Sequence, residues 1–189
     1  MSELEQYIHS YFGITQAELA QVVSFFQLEE LAKAEFYVKA GRYCDKLSFI
    51  QSGLMRVYAS TGEKEITQWI STKGYFITDL SSMQFKTPAR WNIQALSDCT
   101  LYTIHQKEYD LLQKHVANWQ ELEKLFIAKC FLTLEDRVFS FLSMSAEERY
   151  ELLFSFQPEL FNQVPLQYIA SMLGMTPETF SRIRNKRIS

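Results

Sequence analysis

The chain has 189 residues, of which 47% are hydrophobic, 22% charged and 15% aromatic. That composition fits one large or two small globular domains and excludes disorder or a fibrous repeat. The formal net charge is −3, from 19 Lys+Arg against 22 Asp+Glu, which argues against a uniformly basic surface for nucleic acid. The segment Met1–Gln21 carries Glu3, Glu5 and Glu18 where a secretory leader has a basic start and an apolar stretch. No apolar run approaches the roughly 18 residues of a membrane span, so no membrane partner is expected and the expected location is the cytoplasm. Cys44, Cys99 and Cys130 are far apart, and His9, His105 and His115 share no metal-ligand spacing. Buried free thiols are expected, with no metal and no cofactor.

In chain order, Ser2–Phe12 predicts a helix with Leu4, Tyr7, Ile8 and Tyr11 on one face. Thr15 and Glu18 have the spacing of a capping box, opening a helix with Leu19, Val22, Val23 and Phe26 on its apolar side. From Glu35 to about Ile104 the texture changes to short runs rich in Val, Ile, Phe, Tyr and Thr. Strands are predicted over Glu35–Val38, Leu47–Gln51, Gly53–Ala59, Glu65–Ser71, Arg90–Ala95 and Thr100–Ile104. Ser60-Thr61-Gly62-Glu63 reads as a hairpin turn between two of them. Short strands at this spacing predict a small antiparallel barrel or jelly roll.

After Ile104 the pattern is helical. Helices are predicted over Gln106–His115 and Ala117–Leu132, with a break at Thr133-Leu134-Glu135-Asp136. The next helix is predicted over Arg137–Arg149 or a little beyond, and Pro158 and Pro165 punctuate two further short ones. In the second of these helices Leu122, Leu125, Phe126 and Lys129 fall at three- and four-residue steps. This stripe reads as a dimer seam, with packing against the barrel as the alternative.

The segment Leu166–Asn185 carries the most information. Pro165 suits a helix start, Ala170 allows close helix approach, and Gly174 suits a tight turn. Thr176 can cap a second helix with Pro177 in its first position and Glu178 at its positive end. Phe180 and Ile183 should pack back onto Ile169 and Leu173. This is the pattern of a helix-turn-helix. From Pro177 to Ser189 there are four basic residues against Glu178, a local +3 in a chain of net −3. Arg182 can pair with guanine, and Glu178 can accept from cytosine. Thr176, Thr179, Ser181 and Lys186 suit the phosphates and the cap. A solvated cationic helix end is the plain alternative.

At these residues the sequence resembles the CRP/FNR family of bacterial transcription factors. Glu178-Thr179-Phe180-Ser181-Arg182-Ile183 is similar to the family's recognition-helix core. Phe49–Val57, with Gly53, resembles its strand–Gly–strand element, and Lys73-Gly74-Tyr75-Phe76-Ile77 resembles the entry to its phosphate cassette. The resemblance implies an α+β chain. Residues 1–116 would be an antiparallel cyclic-nucleotide-binding-like β-roll, 117–133 a dimerisation helix and 134–189 an all-α helix-turn-helix domain. It implies a homodimer on a pseudo-palindromic double-stranded DNA operator, RNA polymerase as a partner and a small-molecule effector. With Ser189 last, no β-hairpin wing would follow the recognition helix, so few contacts per protomer and a strong need for dimerisation are expected.

The cassette departs from the family pattern. Thr78-Asp79-Leu80 stands where the family has Gly-Glu-Leu, and Arg90 falls one residue out of register with its phosphate arginine. One residue turns a strand side chain to the opposite face, so Trp91 competes with Arg90 for the interior. Thr78, Asp79, Leu80, Arg90 and Trp91 are therefore expected to line a degenerate pocket that does not take cyclic AMP. A regulator gated by a cyclic nucleotide or small anion is the first alternative. A sensor or scaffold whose C-terminal helices bind protein is the second. No nucleophile elbow, Walker loop or paired-carboxylate motif is present, so no enzymatic activity is expected.

Overall fold

The computed structural model describes residues 1–188, apart from the side chains of Gln16, Ala17 and Ile188. Ser189, the expected end of the C-terminal region, lies outside the described residues. Helix α1 (Glu3–Phe12) opens on a capping box that the sequence reading did not single out. The Glu5 N–H donates to Ser2 Oγ at 3.3 Å and the Ser2 N–H to Glu5 Oε2 at 2.6 Å. Helix α2 (Gln16–Val23) begins where expected, but without the expected box. The Thr15 hydroxyl donates to Glu18 Oε2 at 2.8 Å and caps no backbone amide.

Among the described residues eight strands follow: β1 (Gln27–Leu31), β2 (Phe36–Val38), β3 (Lys46–Ser52), β4 (Met55–Thr61), β5 (Lys64–Ser71), β6 (Phe76–Ile77), β7 (Asn92–Ala95) and β8 (Cys99–His105). They form two four-stranded sheets with orders β1-β8-β3-β6 and β2-β7-β4-β5. The pairs β1–β8, β3–β8, β3–β6 and β2–β7 are antiparallel. Gly53, between β3 and β4, has φ +98°, and a Cβ there would lie 2.5 Å from both the Asp98 carbonyl oxygen and Cys99 Sγ. Only glycine allows that approach. Helices α3 (Leu80–Phe85), α4 (Gln106–His115) and α5 (Trp119–Ser143) complete this part, and α4 matches its prediction residue for residue.

Helix α5 corrects the expected break at Thr133–Asp136: it runs unbroken for 25 residues. No glycine or proline interrupts this stretch, so a capping sequence cannot outweigh continued i to i−4 bonding. The stop comes instead at Ser145, whose side chain and Glu148 form a capping box for α6 (Ala146–Phe156). Short helices α7 (Leu160–Gln163) and α8 (Leu166–Met172) precede α9 (Pro177–Ile188). Among the described residues no helix is long and apolar enough to cross a membrane.

The chain divides into two compact units that differ from the expected boundaries. One comprises Met1–Val57 and Ser71–Phe131, and the other Tyr58–Ile70 and the residues from Leu132 onward. The far end of the β4–β5 hairpin thus groups with the C-terminal helices, and α5 contributes to both units.

In the first unit, alternation along β3 explains why four successive residues, Leu47 to Ile50, are all buried. Leu47 and Phe49 join Leu4, Ile8 and Phe12 of α1, Leu112 of α4 and Phe126 of α5 in one apolar core. On the alternate face, Ser48 lies opposite Thr103 of β8 and their hydroxyls are 2.8 Å apart. The buried Tyr37 hydroxyl lies 3.0 Å from both Ser48 Oγ and the Lys46 carbonyl oxygen.

Candidate functional site

In the second unit, α8 and α9 pack around a small apolar core. Ile169, Ala170, Leu173, Phe180 and Ile183 are all buried, as their spacing predicts. The Phe180 ring lies 5.3 Å from Tyr150 and 5.9 Å from Phe161, which locks the inner face of α9. The turn between the helices requires its glycine. Gly174 has φ +67°, and a Cβ there would lie 2.5 Å from Cε1 of Phe141. The Met175 N–H donates back to the Ala170 carbonyl oxygen at 3.0 Å, closing the end of α8. Thr176 Oγ1 then accepts the Thr179 N–H at 3.3 Å, and Pro177 opens α9.

The inner face being committed, the outer face carries the polar groups. Glu178, Ser181, Arg182 and Asn185 are exposed and line one shallow depression with Pro177. Thr179 is half-buried beside its capping partner. The backbone N–H of Glu178, and next the Thr176 hydroxyl, hold the Glu178 carboxyl below its ordinary value. Lys186 is turned away from this face: its ammonium pairs with Glu147 of α6 at 2.9 Å. Arg187 does likewise, pairing with Glu151 at 3.2 Å and lying 3.5 Å over the Phe154 ring. Asn185 was not singled out from sequence, although its three-residue step from Arg182 places it on the same face.

The four residues expected to form a dimer seam lie on one side of α5, but most of that side is already committed within the chain. Phe126 is 1% exposed in the first unit's core, its ring stacked 4.6 Å from Phe12. Leu122 packs against the same core. The Lys129 ammonium donates to the carbonyl oxygens of Ser10 and Tyr11 at 2.8 and 3.1 Å. Leu125, in contrast, presents exposed apolar surface. The aromatic side chains of α1 supply the partner for this stripe, and burying a Phe is worth about 1.5–3 kcal/mol.

The expected effector residues are drawn together by Asp79. Its carboxylate is 1% exposed and accepts three backbone N–H groups. Oδ1 takes Ser82 at 2.9 Å, which caps α3, while Oδ2 takes Arg90 at 2.9 Å and Trp91 at 3.4 Å. Both oxygens are thus used within the protein. The Thr78 hydroxyl donates to the Lys46 carbonyl oxygen at 2.9 Å, and Leu80 packs against the apolar core. Arg90 is exposed, with its guanidinium 5.6 Å over the half-buried Trp91 ring. Just before β7, Ala89 is buried, Arg90 exposed and Trp91 half-buried, so of the two competing side chains it is Arg90 that faces outward. Two of the thiols are poorly activated: burial pushes Cys130 up to about 11 and also raises Cys99.

Residues 28–115 match the family model described as the cyclic nucleotide-binding domain. The whole chain is similar to several solved regulators. The Catabolite Activator Protein of Thermus thermophilus is 17% identical with a TM-score of 0.60, over 95% of this chain and 85% of that one. FixK2 of Bradyrhizobium japonicum is 16% identical with a TM-score of 0.68, over 85% and 83% of the two chains. CLP, a c-di-GMP responsive global regulator of Xanthomonas campestris, is 12% identical with a TM-score of 0.65, over 91% of each chain. No curated protein matches the chain. At these identities the likeness establishes the fold. The chain is a mixed α+β protein with an antiparallel cyclic-nucleotide-binding jelly roll, a long helix and C-terminal helices, as in the Catabolite Activator Protein.

Proposed function

We propose that the chain is a sequence-specific DNA-binding transcriptional regulator of CRP/FNR type, working as a homodimer in the cytoplasm without enzymatic activity. The observation that carries this reading is the exposed Glu178–Ser181–Arg182–Asn185 face on a helix whose other side is locked behind the Gly174 turn. In a dimer the two copies of α9 would lie about 34 Å apart and read half-sites about 10 bp apart. RNA polymerase is the expected protein partner at a promoter. Selection of bound duplexes from a random pool tests the reading and should return a pseudo-palindrome. Arg182→Ala should then cost about 1–3 kcal/mol on the selected site and relax one base position. Equal binding by this variant at matched salt would remove Arg182 from the interface. If duplex binding is absent or indifferent to salt, the C-terminal helices bind protein instead.

We assign the dimer seam to a stripe of α5 that keeps Leu125 from the expected set and continues along its exposed side. Leu125, Leu132 and Phe139 recur every seven residues and are all exposed, with Ala128 and Leu142 between and after them. A seven-residue apolar repeat is what a helix presents to a second copy of itself.

The family-model match over the roll favours one second reading, a regulator gated by a cyclic nucleotide. Against it stands Asp79, whose carboxylate occupies the amide donors of Ser82 and Arg90 that an anionic ligand would need. We therefore assign an effector other than cyclic AMP. Titration calorimetry with cyclic AMP and cyclic GMP should show no saturable heat, and a stoichiometric endpoint would reverse the assignment.

A further inference from the structure

The end of α8 is held from outside by two arginines. The Arg137 Nη2 of α5 donates to the Met172 carbonyl oxygen at 2.7 Å. The Arg149 Nε of α6 donates to the Leu173 carbonyl oxygen at 3.0 Å, and its Nη1 to that of Met144 at 2.7 Å. These two carbonyls stand at the negative end of α8, where no helical partner exists for them. The guanidiniums lie 5.2 and 4.9 Å from the ring of Phe141, the same ring that meets Gly174. Arg137, Phe141 and Arg149 therefore form one stack against the turn that leads into α9.

The β4–β5 hairpin completes this stack. Trp69 of β5 lies on Arg137, with the guanidinium 5.0 Å from its ring centroid. Two residues earlier, the buried Thr67 N–H donates to Ser171 Oγ of α8 at 2.9 Å. Thr67 and Trp69 thus grip the last turn of α8 from one strand, directly and through Arg137. Strands β4 and β5 run on into the first unit at Val57 and Ser71. Any displacement of β5 along its length moves Thr67 and Trp69 with it.

We propose that Trp69 and Arg137 are positioning residues for the recognition helix, and that the β4–β5 hairpin is the element that sets where α8 ends and α9 begins. The proposal takes the DNA-binding reading as its functional frame. Its physical content is a contact that touches no base and no phosphate yet fixes the face that does. A cation held between two aromatic faces while bonding a carbonyl is directional, so losing either face lets the turn move.

Hydrogen exchange on the full chain tests this, comparing wild type with Trp69→Ala, Trp69→Phe, Arg137→Ala and Ser171→Ala. The first and third should accelerate exchange at Leu173, Gly174 and Met175 by about tenfold, the scale of a site-to-site coupling. The β1–β8 ladder should stay protected. Trp69→Phe keeps an aromatic face and should remain near wild type, and Ser171→Ala should give a smaller acceleration of the same amides. On the selected operator, Trp69→Ala and Arg137→Ala should each weaken binding about tenfold, and the double variant no further. Unchanged exchange at the turn, or acceleration spread evenly over both units, overturns the proposal. If wild type binds no duplex, the DNA-binding reading fails, and the exchange pattern still decides the positioning role. If Trp69→Ala does not fold, Ser171→Ala and Arg137→Ala decide it.

Discussion

Leu132→Glu and Phe139→Glu are expected to convert the protein from a dimer to a monomer in sedimentation equilibrium while leaving each chain folded. Both residues are more than half exposed, at 57% and 68%, so an ionised side chain there meets water in the isolated chain and loses little packing. In a dimer the same residues would face their counterparts, and two carboxylates would be brought together in an apolar seam. Operator affinity should fall much further than half-site affinity. Linking two binding modules raises avidity by about 10²–10⁴-fold without any new contact, and the monomer forfeits that factor. Binding to an isolated half-site should be unchanged. A variant that remains dimeric, or a wild-type chain that is already monomeric at micromolar concentration, would refute the seam.

The same helix shows why the proposed seam is hard to read from the sequence. Between Leu122 and Leu142, α5 is apolar on more than one side. Leu122, Phe126 and Cys130 face the core of the first unit, whereas Leu125, Leu132 and Phe139 lie outward. Periodicity identifies the helix but not which stripe meets which partner, because both stripes obey helical spacing. Only the position of α1 separates them: Phe12 and the Ser10 and Tyr11 carbonyl groups claim Phe126 and Lys129.

Elsewhere local chemistry was enough. Apart from the two-residue β6, the strand runs from Phe36 to Ile104 follow from residue type and spacing, as do the Gly62 hairpin turn, the Gly174 turn and the burial of Phe180 and Ile183. The strand β1 escaped notice because it is an edge strand with Glu29 and Glu30 in its five residues, so it has no apolar run. Its β8 partner supplies the pairing. The helix α3 escaped because it is six residues long and its cap, Asp79, read as a pocket residue. The roles of Arg137 and Arg149 depend on carbonyl groups more than twenty residues away, at Met172 and Leu173, which no local pattern specifies.

Asp79→Ala is expected to be the most destabilising single substitution in the roll. It strips the acceptor from three N–H groups at once, those of Ser82, Arg90 and Trp91. A buried donor left without a partner costs about 1–3 kcal/mol, and loss of a helix cap costs about 0.5–2 kcal/mol. The combined loss of a few kcal/mol is a large part of the roughly 5–15 kcal/mol that holds a domain together. Asp79→Asn should cost less, because its amide oxygen can keep the Ser82 bond while its NH2 group opposes the Arg90 and Trp91 donors. Urea unfolding followed by tryptophan fluorescence, with Trp69→Phe as the background so that Trp91 and Trp119 report, should therefore rank the parent above Asn and Asn above Ala. The same titration bears on the effector. A ligand held at about 100 times its Kd would add about 2.7 kcal/mol to a roll that binds it. Because Asp79 already supplies the negative group at these amides, cyclic AMP should leave the wild-type midpoint where it is. A midpoint that rises with cyclic AMP, or an Ala variant as stable as wild type, would mean that Asp79 does not play this part.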